Sequence, residues 1–320
     1  LGTCVLRLFS LLGETMENII YTTPEEQIQK LKSQNLIIDD EEKATAALYA
    51  YGYSNLIKSY REPYIIRSDN ATLYRSGVTF DQVYSLYMLD KNLRNAVIAA
   101  MLDLEEHIKE QASDVVANSF GIHPDEYLNY RNYRNKRKRR KQFTLSSILT
   151  TMRNALDTDK DPIHHYNTVH EIVPPWILFK SIYFSTIINY IDQFRIKEQI
   201  QMAHKLYDIS AYNITELQAV QLMMDTLYLA SDYRNLAAHG GRIYNYTSKN
   251  RLRIDDIISD CGPLANAGFN QLLVALELLN YNGPAKHIRS ILNKQLNRHC
   301  NIYPQDVTYL GQILNSDIVQ

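Results

Sequence analysis

The sequence predicts an all-α protein, and three observations carry that expectation. Apolar residues recur at intervals of three, four and seven over long stretches, the spacing of one helix face. Alternating strand pattern is scarce. Only 11 glycines and 9 prolines punctuate 320 residues, against 24 tyrosines. The composition is that of a globular chain, 45 % hydrophobic and 22 % charged, which excludes wholesale disorder. No stretch approaches the roughly 18 apolar residues of a membrane span. Cys4, Cys261 and Cys300 are scattered and include no C-x-x-C pair, so neither a disulfide scaffold nor a thiolate zinc site is expected, and a reducing cytoplasm is.

The first fifteen residues, Leu1 to Thr15, look foreign to the rest, with a short apolar patch from Val5 to Leu12. They lack a clear signal-peptide layout, and translation is expected to start at Met16, leaving 1–15 a leader of doubtful origin. Residues 16–78 read as an N-terminal helical segment. Thr23-Pro24-Glu25-Glu26 supplies an N-cap, a proline at the first helical position and first-turn acids that suit the helix dipole. A second helix starts within Asp39–Glu42, runs through Ala44, Ala47 and Leu48, and ends at Gly52. Residues 53–78 are a tyrosine-rich connection without a clear pattern.

Thr79-Phe80-Asp81-Gln82 fits a capping box, and the longest helix follows over about 35 residues. Its stripe is Val83, Leu86, Tyr87, Leu93, Val97, Met101, Leu104, Ile108 and Val115. Arg94 and Glu105 lie eleven apart, about three turns, and so share a face at the stripe. Either Arg94 pairs with Asp90 one turn away, or these residues contribute to a polar pocket. After a break at Gly121–Asp125 comes the run from Arg131 to Lys141, eight basic residues in eleven with no acid. Arg134, Lys136, Arg137, Lys138, Arg139, Arg140 and Lys141 form a dense charge cluster that phosphate backbones relieve by counterion release. A solvated face, an acidic protein and acidic lipid are the alternatives.

Helical pattern resumes at Thr144 to Leu156. Val173-Pro174-Pro175-Trp176 marks a rigid lead-in to an apolar helix, Ile177 to Tyr190, and Lys197 to Tyr207 continues in helical register. Thr215-Glu216-Leu217-Gln218 is a second capping box, opening a helix that runs to Arg234 and stops at Gly240-Gly241. Residues 242–266 look irregular, and Ala267–Asn280 and Pro284–Leu296 read as two closing helices. There is no P-loop, no G-x-G-x-x-G and no H-E-x-x-H motif. His164, His165 and His170 lack acids at ligand spacing and read as loop histidines; no metal or cofactor is expected.

The segment from Asp232 to Asn245 concentrates chemistry. It brings Arg234, Asn235 and His239 to the last turn of a helix, just before a glycine pair. Positions 234 and 239 differ by about 140° around an ideal helix, so they converge only if the helix ends at His239 or a second copy faces the first. Each has a quieter explanation. Arg234 can pair with Asp232, His239 can cap the helix, and Asn235 can bond its own backbone. Tyr244 and Asn245 can simply hold the following loop, and Arg242 can be solvated.

Arg234-Asn235-x-x-Ala238-His239-x-x-Arg242-Ile243-Tyr244-Asn245 resembles the signature of the bacterial abortive-infection (Abi-like, AbiD/AbiF type) family of the HEPN superfamily. Ala50-Tyr51-Gly52-Tyr53 with Tyr60, the block from Gly77 through Asp90 and Arg94 to Glu105, and Val173–Trp176 are similar to further blocks of that family. Together they cover roughly residues 28–246. Ile182-Tyr183-Phe184-Ser185 departs from it, where many relatives carry Phe-Gly, and the basic run is heavier than expected. The resemblance implies a multi-helix HEPN-type bundle with an N-terminal helical extension, a core over 79–250 carrying the basic insert 131–141, and C-terminal helices over 251–320. It implies a homodimer acting on RNA in phage defence or as a toxin. His239 would exchange a proton, Arg234 would hold the scissile phosphate and Asn235 would orient either group. Asp90, Arg94, Glu105, Tyr244 and Asn245 would support them, and Arg242 would join the basic run in contacting RNA. A non-catalytic RNA-binding module working with a noncoding RNA, or a helical scaffold with an acidic protein partner, are the rival readings.

Overall fold

A computed structural model describes residues 20–68, 71–254, 257 and 268–314. Residues 1–15 and Met16 lie outside these, as do Cys4 and Cys261. Helices dominate, and among the described residues the strands are one short hairpin, so the fold is all-α as expected. It divides into two compact units, residues 1–87 and 88–320.

In the first unit, α1 (Pro24–Ser33) carries the expected cap and adds its reciprocal half. The Glu26 amide donates to Thr23 Oγ1 at 3.3 Å, and the Glu26 carboxylate accepts from the Thr23 amide at 2.8 Å. Helix α2 (Glu41–Tyr51) starts on Asp40, whose carboxylate accepts from the Lys43 amide. It stops at Gly52, where φ of +78° suits a residue without Cβ. The two helices pack through Ile28, Leu31, Ala44, Ala47 and Leu48, all buried.

The connection after Gly52 is more ordered than the sequence suggested. A π-helical turn, Ser54–Lys58, buries Leu56 and Ile57. An antiparallel hairpin then pairs β1 (Ile65–Ser68) with β2 (Ala71–Tyr74), Ile65 opposite Tyr74. Four-residue strands are too short to show alternation in sequence, although Ile65 is buried and Ile66 exposed, as a strand requires. Tyr51, Tyr60, Tyr84 and Tyr87 pack as one aromatic cluster, with Tyr60 edge-on to Tyr87 at 5.4 Å.

Helix α3 (Phe80–Phe120) is 41 residues long, and the unit division falls within it, after Tyr87. The Gln82 amide donates to Thr79 Oγ1, closing the N-cap. Its whole expected stripe is buried, Leu93, Val97, Met101, Leu104 and Ile108 completely.

The second unit continues through α4 (Pro124–Tyr127), α5 (Leu145–Leu156), α6 (Ile163–His165) and α7 (Pro175–Leu178). Then come α8 (Phe184–Ile191), α9 (Ile196–Leu206), α10 (Glu216–Ala238), α11 (Gly268–Glu277), α12 (Gly283–Ile302) and α13 (Val307–Leu314). The apolar segment expected as one helix from Ile177 is broken: a 3-10 turn at Phe179–Ser181 and extended backbone at Ile182 separate α7 from α8. The histidines expected in a loop lie instead in α6 and the π-helical turn Tyr166–His170. A third closing helix, α13, follows the two that periodicity predicts. Helix α10 packs on α8, α9 and α11, and its capping box forms as predicted, with Thr215 and Gln218 bonded reciprocally.

Leu104 lies on the buried stripe with no exposed surface. Leu104→Ala should therefore cost about 2–5 kcal/mol, read as a lower urea midpoint at unchanged slope.

Candidate functional site

Helix α10 ends in a Schellman turn. The Gly240 amide donates to Ala237 O at 3.1 Å and the Gly241 amide to Leu236 O at 2.8 Å. Gly240 has φ of +72°, which disfavours any side chain. Gly241 is needed for a different reason: a Cβ there would stand 2.2 Å from Leu236 Cδ1. The glycine pair thus fixes how the chain leaves the helix.

His239 is the C-cap residue of this helix and is exposed; Asn235 is exposed, and Arg234 half-buried. Arg234 Nη1 donates to Asn235 Oδ1 at 3.4 Å. Asp232 Oδ2 accepts instead from Ser248 Oγ at 2.6 Å and Asn250 Nδ2 at 2.8 Å. Among the described residues Arg234 forms no ion pair, and no contact joins it to His239. The guanidinium, amide and imidazole therefore share one exposed helix end.

The loop after this end is held from α3. Asp90 Oδ1 accepts the amides of Ile243 at 3.0 Å and Tyr244 at 2.8 Å, while Asp90 Oδ2 accepts from Arg94 Nη1 at 2.9 Å. Asp90 has no exposed surface and Arg94 only 9 %. The Arg94–Asp90 pair is thus the one expected from their spacing, with a further duty that spacing did not reveal. Tyr244, also buried, pairs its hydroxyl with Tyr309 at 3.0 Å, and burial raises its pKa above the usual phenol range. Asn245 hydrogen-bonds Tyr309, and the Arg242 guanidinium lies 5.9 Å from the Tyr244 ring centre, within cation–π reach. Tyr244, Asn245 and Arg242 thus belong to the loop's support. Glu105 lies elsewhere: it pairs with Lys109 at 2.7 Å and lines a groove with His107, Trp176 and Tyr281.

The basic run divides in two. Lys136 Nζ reaches Asp192 Oδ1 at 2.9 Å, Arg134 approaches the same oxygen at 3.6 Å, and Lys138 pairs with Asp192 Oδ2. Lys138 Nζ also donates to Asn189 Oδ1 at 3.0 Å and Tyr228 OH at 2.9 Å. Arg137, Arg139, Arg140 and Lys141 are exposed and form no ion pair among the described residues. Sequence reasoning missed Asn189, Asp192 and Gln193. Their signal was three polar residues at helical spacing inside an apolar segment.

Among the described residues no group of three or more His, Cys, Asp or Glu side chains could hold a metal, and no helix is long and apolar enough to cross a membrane. Cys300 is buried, and desolvation pushes its thiol up to about 11.

An all-α chain whose longest amphipathic helix clasps the backbone beyond an Arg-Asn-x-x-x-His helix end defines a narrow structural class. A family model for Abi-like proteins matches residues 46–245, more than half of the chain and every residue of that helix end. The chain belongs to the Abi-like protein family. No curated protein and no solved structure matches it.

Removing the Asp90 carboxylate takes away the acceptor that a buried guanidinium and two buried amides share. Asp90→Ala should cost about 3–5 kcal/mol in urea unfolding. Gly241→Ala should also destabilise, by about 1–3 kcal/mol, since Leu236 must move to admit the new methyl.

Proposed function

We propose that this chain is a metal-independent HEPN-type endoribonuclease acting in abortive infection of phage-infected cells, in the cytoplasm and as a homodimer. Membership of the Abi-like family supports the defence role. The observation that carries the chemistry is the exposed helix end, where Arg234, Asn235 and His239 stand free of any neutralising acid among the described residues.

In the proposed reaction the ribose 2′-oxygen bonds to phosphorus as the P–O5′ bond breaks, leaving a 2′,3′-cyclic phosphate and a 5′-hydroxyl. One proton leaves the 2′-hydroxyl and one must reach the 5′-oxygen. An imidazole can accept the first proton and return one to the leaving 5′-oxygen. Arg234 offers a planar fork to the non-bridging oxygens and stabilises the charge that builds there. Asn235, bonded to that guanidinium, orients it. A two-fold partner would bring the second copy's helix end opposite, so that each guanidinium meets the other copy's imidazole and the dimer holds two such sites.

The basic run favours a second reading, a module that holds a noncoding RNA without cutting it. Purified protein incubated with total RNA in EDTA separates the two. The nuclease reading expects cutting that survives EDTA, leaves cyclic phosphate ends and falls about 10²–10⁴-fold in His239→Ala. Co-purified RNA that stays intact replaces it with the second reading. For a site shared across a two-fold, mixing inactive Arg234→Ala and His239→Ala chains should restore about a quarter of the activity, because half of the pairs then contain one intact site. A strictly single-chain site restores none.

A further inference from the structure

Residues 133–138 are clasped onto the end of α8. Tyr133, 5 % exposed, plugs the preceding turn into the core by bonding Tyr190 OH and Tyr127 O. The Arg134 amide donates to Gln193 O at 2.9 Å and the Lys136 amide to Gln193 Oε1 at 2.6 Å. Gln193 Nε2 returns a bond to Lys136 O at 3.0 Å. Asp192, 3 % exposed, collects the side chains of Arg134, Lys136 and Lys138.

Arg134, Lys136 and Lys138 therefore face one buried carboxylate, with a left-handed Asn135 (φ +51°) turning the chain between the first two and Lys136 and Lys138 two residues apart beyond it. Arg137 and Arg139 flank Lys138 and, unlike it, are exposed and form no ion pair among the described residues. Two residues of extended chain span about 6.7 Å, comparable to the interval between successive phosphates of a stretched single strand. Tyr130, 45 % exposed, stands just before the run and offers a face on which a base can stack. A loose run of like charges would lose backbone and side-chain freedom on meeting RNA, whereas a clasped one has lost much of it on folding.

Resting on the RNA reading above, we propose that Asp192 and Gln193 hold residues 134–138 as a preset track for the backbone of single-stranded RNA, with Arg137 and Arg139 meeting successive phosphates. Asp192 and Gln193 are positioning residues and touch no RNA.

The test is fluorescence anisotropy of the full chain with a labelled oligouridine and with a duplex of equal length, each across a range of salt. Asp192→Asn takes the formal net charge from −1 to 0, so charge alone would tighten binding. The track predicts the reverse: affinity for oligouridine falls about tenfold, and the salt slope shrinks by about 0.7 for each phosphate that is no longer neutralised. Gln193→Leu removes the clasp without altering charge and should act in the same direction. In both variants the Lys136 amide should exchange faster while helix content, read by circular dichroism, is kept. Should either variant fail to fold, the doubly substituted Arg137→Gln/Arg139→Gln chain, changed only at exposed positions, should lose about 1.4 from the slope without faster exchange. Wild-type binding with both positioning variants binding as tightly or more tightly overturns the proposal, as does wild-type preference for the duplex. A wild-type chain that binds neither RNA overturns the RNA reading itself, a separate result.

Discussion

Asp90 is a carboxylate without exposed surface, and a charge so placed is tolerated only when donors meet its oxygens. Arg94 supplies one donor from the next turn of α3, and the amides of Ile243 and Tyr244 supply two more from beyond α10. The bonds serve both sides, since the acid is also the acceptor that the two amides and the guanidinium share. One carboxylate therefore fixes where the backbone must arrive after leaving α10. The Schellman turn fixes the direction in which it departs. His239 and Arg242 lie between those two restraints, so their backbone is held even though the imidazole is exposed.

The same physics accounts for the contrast between the two cationic regions. At the end of α10 Asp232 accepts from Ser248 and Asn250, and Arg234 forms no ion pair among the described residues. In the basic run a buried acid takes three cations at once and leaves the other five exposed and outside any ion pair among the described residues. One buried carboxylate facing three cations needs no further partner, and each cation gives up some hydration to reach it. Burying the acid also removes it from the outer surface, where it would weaken attraction for an anion. The exposed side of the run is thus more purely positive than the count of charges within its neighbourhood implies.

Much of this was legible in the sequence because it obeys local rules. The caps at Thr23 and Thr215, the stops at Gly52 and Gly240 and the stripe of α3 each follow from residues within a few positions of one another. The Asp90–Arg94 pair was readable at four-residue spacing. That Asp90 also receives amides some 150 positions away was not, because a backbone donor leaves no residue-type signature. The hairpin escaped because its strands are four residues long, and the break before α8 because Ile182 fits either a helix or extended chain. The acid beneath the basic run escaped for a third reason. Asp192 lies more than fifty positions from the cations it pairs with, and an acid that ends an apolar helix reads as an exception until its partner is known.

The angular relation between positions 234 and 239 constrains what this helix end can do. A side chain near the end of α10 points back along its own turn, and five positions rotate the next one by about 140°. A single α10 therefore presents its guanidinium and its imidazole toward different sides, and the C-cap conformation of His239, φ −91° and ψ 10°, leaves its Cα close to helical position. No hydrogen bond links the two groups among the described residues. Rotating the Arg234 side chain, with its four torsions, can bring the fork partway round, but at the entropic cost of fixing a long chain in one rotamer. In the proposed homodimer a second helix end would supply the missing side at no such cost, with the two-fold axis passing between Arg234 and His239. Exposure of these groups in the single chain is therefore what a shared centre requires, since a buried pair would have no surface left to share.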